Sequence, residues 1–146
     1  MNKIICASCY VIDFDNKEVL LTYNEKFNKW IQPGGLIKEK ESTLDSAMRG
    51  VKELTGVECE IVNTLFENEY MTPVDVVEMQ TPEGDVLNIE YLAAPVSKDI
   101  TPGVQASWFD IYELVNNQNV DESIKYKVNT LYKLFKNDNR KRIRRN

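Results

Sequence analysis

Gly35-Leu36-Ile37-Lys38-Glu39-Lys40-Glu41-Ser42-Thr43-Leu44-Asp45-Ser46-Ala47-Met48-Arg49-Gly50-Val51-Lys52-Glu53-Leu54-Thr55-Gly56-Val57 is the stretch on which the fold turns. Ser42 or Thr43 can cap a helix, and Gly56 stands where it would stop, so the pattern predicts a helix running to Thr55. At about 100° per residue, Leu44, Ala47, Met48, Val51 and Leu54 share one face, predicted to be the buried one. Asp45, Arg49 and Glu53 line the polar side, each one turn from the next. Glu41 enters from the loop ahead of the helix.

Upstream, Ile4 to Asp13 and Glu18 to Tyr23 read as two strands of a hairpin around Asp15-Asn16-Lys17. Trp30-Ile31-Gln32 is a short strand stopped by Pro33-Gly34-Gly35. Downstream, Cys59 to Tyr70 is strand-like. Val74 to Gln80 and Val86 to Ala93 flank the turn residues Thr81 to Asp85 as a second hairpin. Ser107-Trp108-Phe109 is a short strand, and Ile111 to Leu114 one helical turn. Asp121 to Phe135 is a closing helix whose apolar stripe is Ile124, Val128, Leu131, Leu134 and Phe135. Strands, helix, strands, helix predict an α/β (α+β) fold, with a mixed sheet sandwiched between helices. Residues 1–139 form a single domain in this reading, followed by a basic, disordered tail at 140–146.

The quoted stretch resembles the signature box of the Nudix hydrolases: Gly, five residues, Glu, seven residues, then Arg-Glu-apolar-x-Glu-Glu-x-Gly-apolar. Gly35, Glu41, Arg49, Val51, Glu53, Gly56 and Val57 fall in register. Gly50 and Leu54 stand where the family places glutamates that bind metal or activate water. Trp30 ahead of Pro33-Gly34-Gly35, and Trp108-Phe109 ahead of Glu113-Leu114, resemble further landmarks. The resemblance implies a Nudix fold and Mg²⁺-dependent hydrolysis of a nucleoside diphosphate linked to another group. It makes Glu41 and Glu53 the catalytic and metal-binding carboxylates. A homodimer is in keeping with it, though no residue argues for one.

Hydrolysis of a diphosphate sends water against an already anionic phosphorus, and divalent cations offset that charge. Two carboxylates can hold one Mg²⁺ or Mn²⁺ when waters and phosphates complete the shell. A single, weakly held ion is the expectation, and box catalysis is expected to be impaired or lost. Asp45, Glu69, Glu78, Glu90 and Asp121-Glu122 are the other acids that could reach the site, or else ordinary surface carboxylates. Arg49 can bridge Glu41 and Glu53, bind phosphate directly, or form a plain helical ion pair. Gly34 and Gly35 permit close backbone approach to a ligand, or a turn. Lys40 either contacts phosphate or is solvated. Trp30, Tyr23, Phe27 and Tyr70 are candidates to stack on a base or ribose, against the commoner role of strand aromatics in cores. Gly34, Gly35, Arg49, Trp30 and Tyr23 make the phosphate and substrate set.

The 146 residues include no histidine, which removes the usual general base and the usual nitrogen ligand and points to oxygen-lined metal chemistry. Cys6, Cys9 and Cys59 cannot complete a zinc site and read as reduced thiols. No apolar run approaches the roughly 18 residues that a spanning helix needs, and the N-terminus lacks a signal-peptide layout, so a cytoplasmic protein is expected. The formal charge is −5, yet Arg140 to Asn146 carry five basic groups, leaving 13 basic and 23 acidic residues elsewhere. Such a body disfavours nucleic acid, except through the tail. The tail is a solvated end, a nucleic-acid or acidic-partner contact, or a segment folding back on its own chain or a dimer mate. Two functions therefore stand: an attenuated hydrolase, and a non-catalytic module that binds a nucleotide or nucleotide sugar.

Overall fold

The computed structural model describes residues 3–63, 71–137 and 142–144. The strands are β1 (Lys3–Asp13), β2 (Glu18–Asn24), β3 (Lys29–Ile31), β4 (Gly34–Leu36), β5 (Cys59–Asn63), β6 (Asp75–Thr81), β7 (Gly84–Pro95), β8 (Ala106–Asp110) and β9 (Arg142–Arg144). The helices are α1 (Thr43–Thr55) and α2 (Glu122–Phe135), with a 3₁₀ turn at Tyr112–Asn116 between β8 and α2. The sheet is mixed, as expected. β1 runs parallel to β7 from Lys3↔Asp85 to Val11↔Ala93, while its other edge pairs antiparallel with β4 and then β2.

Side-chain alternation along β1 divides the core in two. Ala7, Cys9 and Val11 face α1 and pack with Leu44, Ala47, Met48 and Val51. Tyr10 and Ile12 face α2 and pack with Ile124, Val128, Leu131, Tyr132 and Phe135. The same rule separates Cys6 from Cys9, and all three cysteines are free thiols. Ser42 is the N-cap of α1, its hydroxyl accepting from Asp45 N at 3.0 Å. Gly56 closes the helix in the left-handed conformation at φ 85°.

Three expectations change. Gly34 and Gly35 do not turn; they form β4, with Gly34 opposite Ser8 and Gly35 opposite Ala7. Leu54 is 42% exposed and lies outside the α1 core, at the edge of a cleft lined also by Gly34, Gly35 and Leu36. Leu134 is 65% exposed, and Tyr132 takes the buried position on α2 instead. Within the basic tail, Arg142–Arg144 form β9, which pairs antiparallel with β5 from Ile61↔Arg144 to Asn63↔Arg142. Its backbone finds partners on an otherwise free strand edge. The remaining tail residues, together with Glu69 and Tyr70, lie outside the described residues.

Gly50 explains how α1 sits on the sheet. A Cβ at Gly50 would lie 2.3 Å from Gly34 C and 2.5 Å from Gly34 O. A Cβ at Gly34 would lie 2.3 Å from Ala7 O on the opposite side. Three backbones, those of β1, β4 and α1, therefore stack with no side chain between them. Helix propensity alone predicts that Gly50→Ala stabilises by about 1 kcal/mol. The packing predicts the opposite sign, a loss of about 1–3 kcal/mol through overpacking, to be read from urea unfolding.

Candidate functional site

Arg49 is the centre of the box. It rises from α1 between two carboxylates and a carbonyl. Its Nε donates to Glu41 Oε2 at 2.8 Å and Nη2 to Glu41 Oε1 at 3.0 Å, a two-pronged contact. Nη1 donates to Glu53 Oε2 at 3.2 Å, and Nη2 reaches Leu36 O at 2.7 Å. Of the roles open to it, Arg49 takes that of the bridge. It also fastens the last residue of β4 to α1.

The two glutamates are not equivalent. Glu41 Oε1 further accepts from Ser46 Oγ at 2.5 Å and from Lys38 N at 3.4 Å. Hydrogen bonds from Arg49 and then Ser46 hold its pKa at about 2, against an ordinary 4.5. Glu53 is 57% exposed, and its Oε1 has no hydrogen bond among the described residues. Glu53 is therefore the carboxylate open to a cation, while Glu41 is largely committed to its own loop. Among the described residues no three Asp, Glu, Cys or His side chains stand together as a ready metal cage. The donor set fits one ion finished by waters and phosphate oxygens, and no fuller cluster.

Two cavities flank this bridge. The larger, ≈ 540 Å³, runs along α1 to the start of β5 and is walled by Glu41, Asp45, Arg49, Lys52, Glu58 and Glu60. Its rim is acidic, which suits a phosphate poorly without a cation. The smaller, ≈ 340 Å³, lies over β1, β2, β4 and β7 and includes Ser8, Tyr23, Asn24, Gln32, Gly35 and Asn88. We take the second as the ligand cleft, although it is smaller, because amide, hydroxyl and aromatic groups converge there. Leu54 and Leu36 form its apolar end, beside the arginine bridge.

Sequence-expected residues distribute unevenly over this geometry. Gly34, Gly35 and Tyr23 line the cleft, and the Tyr23 hydroxyl bonds Asn28 Oδ1 at 3.1 Å. Trp30 does not line it. Its ring packs edge-on between Tyr23 (5.3 Å) and Phe109 (5.0 Å) as part of the core. Of the outside acids, Glu78 pairs with Lys3, Asp121 with Lys29 and Glu122 with Lys125, all away from the bridge. Phe27 is exposed in the β2–β3 loop, beside Lys26, which pairs with Glu83 of the β6–β7 turn.

Glu90 is the exception, at 3% exposure. Its Oε1 accepts from Lys127 Nζ at 2.9 Å, while its Oε2 accepts from Tyr10 Oη at 2.9 Å and Gln32 Nε2 at 2.8 Å. Burial opposes the Lys127 charge, yet hydrogen bonds to Glu90 and Asp75 outweigh it and raise the pKa above 10.5. Burial and then the Glu90 charge push the Tyr10 phenol well above its ordinary value. Gln32, Asn88, Ser8 and Lys127 were not expected at the site. The one sequence signal was polar Asn88 and Glu90 alternating with Ile89 and Tyr91 inside an apolar strand.

With this geometry in hand, the likeness to known proteins is informative. The family model described as NUDIX domain matches residues 3–131. The chain belongs to the NUDIX family. Over 73 residues it is 29% identical to the zebrafish (Danio rerio) 8-oxo-dGDP phosphatase NUDT18, a stretch covering 47% of this chain but 22% of that protein. A NUDIX-family hydrolase from Clostridium perfringens superposes with a TM-score of 0.78 at 19% identity, covering 92% of this chain and 99% of the other. A MutT NUDIX hydrolase from Burkholderia pseudomallei gives 0.65 at 16% identity, over 88% and 98% of the two chains. These structural likenesses are in the fold. Among the described residues no helix is long and apolar enough to cross a membrane.

The Glu41 pKa has a stability consequence. Because the folded value lies below the ordinary one, the bridge stabilises the fold above pH 4.5, and that contribution is lost as pH falls from 4.5 towards about 2. Arg49→Met removes the cause. Its melting temperature should fall less steeply than the wild type's across that window, as followed by circular dichroism.

Proposed function

We propose that this NUDIX domain hydrolyses small nucleotide derivatives, a nucleoside diphosphate linked to a second group, by attenuated box chemistry. The observation that carries the reading is the placement of a nucleoside-sized cleft directly beside the Arg49 bridge. The nucleoside lies over β1 and β2, with its diphosphate running past Gly35 towards Glu53. The zebrafish relative, named for a nucleoside diphosphate, supports the same ligand class.

The family generally uses divalent metal ions. A bound cation would neutralise phosphate charge and align the attacking water. Glu53 would hold it, with Glu41 on the other side of the same arginine. Arg49 keeps both carboxylates at fixed separation, and Glu41 stays ionised at any pH well above 2. Gly34 and Gly35 present backbone alone to the cleft.

Attenuation follows from what Gly50 and Leu54 do instead of binding metal. Gly50 is committed to packing, and Leu54 presents an apolar wall. A missing general base typically costs a factor of about 10²–10⁴ in rate. A panel of nucleoside diphosphates, nucleotide sugars and dinucleoside polyphosphates with Mg²⁺ or Mn²⁺ should show slow turnover. Glu53→Gln should reduce it at least about tenfold further, since a neutral amide holds a hard cation poorly. Nucleotide binding with no turnover under any metal would replace the hydrolase by a binding module.

A further inference from the structure

The cleft divides into two chemistries. Cross-strand partners stand side by side on one face of a sheet, so the register of β4, β1 and β7 sorts the cleft wall into rows. One row is Leu36, Cys6 and Asn88; the next is Gly34, Ser8 and Glu90. Ser8, Gln32 and Asn88 are tied to one another or to Glu90 by hydrogen bonds, and with Tyr23 and Asn24 they supply the polar groups. Leu36 and Cys6, joined by Leu54 from α1, supply apolar surface in the same cleft.

Both leucines are open to a ligand. Leu36 is 62% exposed and Leu54 42%, and neither belongs to either core. A single exposed leucine is ordinary, but two on the wall of one cleft are a binding feature. Both also adjoin the arginine bridge. Leu36 gives its carbonyl to Arg49 Nη2 at 2.7 Å, and Leu54 follows Glu53, whose Oε2 accepts from Arg49 Nη1 at 3.2 Å. A diphosphate held at the bridge therefore carries its substituent within reach of these side chains. Phosphate oxygens gain nothing from leucine. Sugar hydroxyls set against it lose water without a replacement partner. A hydrocarbon group covers it favourably.

We infer that the second group of the substrate, the one attached to the nucleoside diphosphate, is an apolar alkyl group that packs on Leu36, Cys6 and Leu54. The inference rests on the proposed nucleoside diphosphate site and specifies what that diphosphate carries. Leu54 then has a role of its own where the box resemblance implies a carboxylate: it contacts substrate. Cys6 supplies a reporter for the same surface. Its thiol is half-buried, whereas Cys9 and Cys59 are buried, so a thiol reagent reaches Cys6 first.

Calorimetry with Mg²⁺ tests this on analogues of ADP and UDP in which a methylene joins the two phosphorus atoms, so that the linkage cannot be hydrolysed. The ethyl, butyl and hexyl esters are compared with the glucose ester, which has the same charge. Each added methylene should tighten binding about twofold to fourfold, and the hexyl ester should bind at least about tenfold tighter than the glucose ester. In Leu36→Ser and in Leu54→Gln the gain per methylene should fall below about 1.5-fold. Both positions are exposed, and thermal unfolding checks that both variants fold. Labelling of Cys6 by N-ethylmaleimide, followed by intact mass, should be slowed more by the hexyl ester than by the parent analogue at equal saturation. Affinity independent of chain length, a tighter glucose ester, a methylene gain unchanged in both variants, or labelling slowed equally would overturn the inference and leave the nucleoside diphosphate reading standing. If neither parent analogue nor any ester binds, that reading falls and the inference with it.

Discussion

Everything at the site depends on the direct contact of three backbones. β1, β4 and α1 approach so closely at Ala7, Gly34 and Gly50 that no Cβ fits at either glycine. This contact sets the height of α1 above the sheet. It therefore sets where Arg49 emerges, and Arg49 in turn fixes Glu41, Glu53 and the end of β4. The hydrophobic face of Leu44, Ala47, Met48 and Val51 supplies the larger share of adhesion, but it would tolerate small shifts. The glycines do not.

Gly50 accordingly has two meanings that cannot be separated. It stands where the resemblance to the signature box implies a carboxylate, and it is a packing residue. A glutamate introduced at 50 would meet Gly34 before it met a cation, so the chain cannot regain the ligand by one substitution without lifting the helix.

The fold was legible because period-2 and period-3.6 patterns are strong in β1, β7, α1 and α2. The helix cap at Ser42 and stop at Gly56 were equally plain. The frame of Glu41, Arg49 and Glu53 was readable from spacing, since a loop and one helix supply all three. Gly50 and Leu54 were visible as departures, but their surroundings were not. Periodicity reports which face a residue occupies, and a glycine leaves no mark of what presses against it. Gln32 and Asn88 were illegible for a different reason. Nothing in the sequence joins two amides 56 positions apart; β1 does so by pairing with β4 at Ser8↔Gly34 and with β7 at Cys6↔Asn88. The sequence could not place Trp30, because an aromatic beside a box looks the same whether it stacks on a ligand or on Tyr23 and Phe109.

The parallel pairing of β1 with β7 also orders events during synthesis. Lys3 leaves the ribosome long before its partner Asp85. Until then β1 can form its hairpin with β2 and its short ladder with β4, and α1 can dock through Gly50. The opposite edge of β1 waits, uncovered, for β7. The residues of the arginine bridge are therefore synthesised before those that complete the cleft, and closure of β1 on β7 is the slow step expected of such non-local contacts.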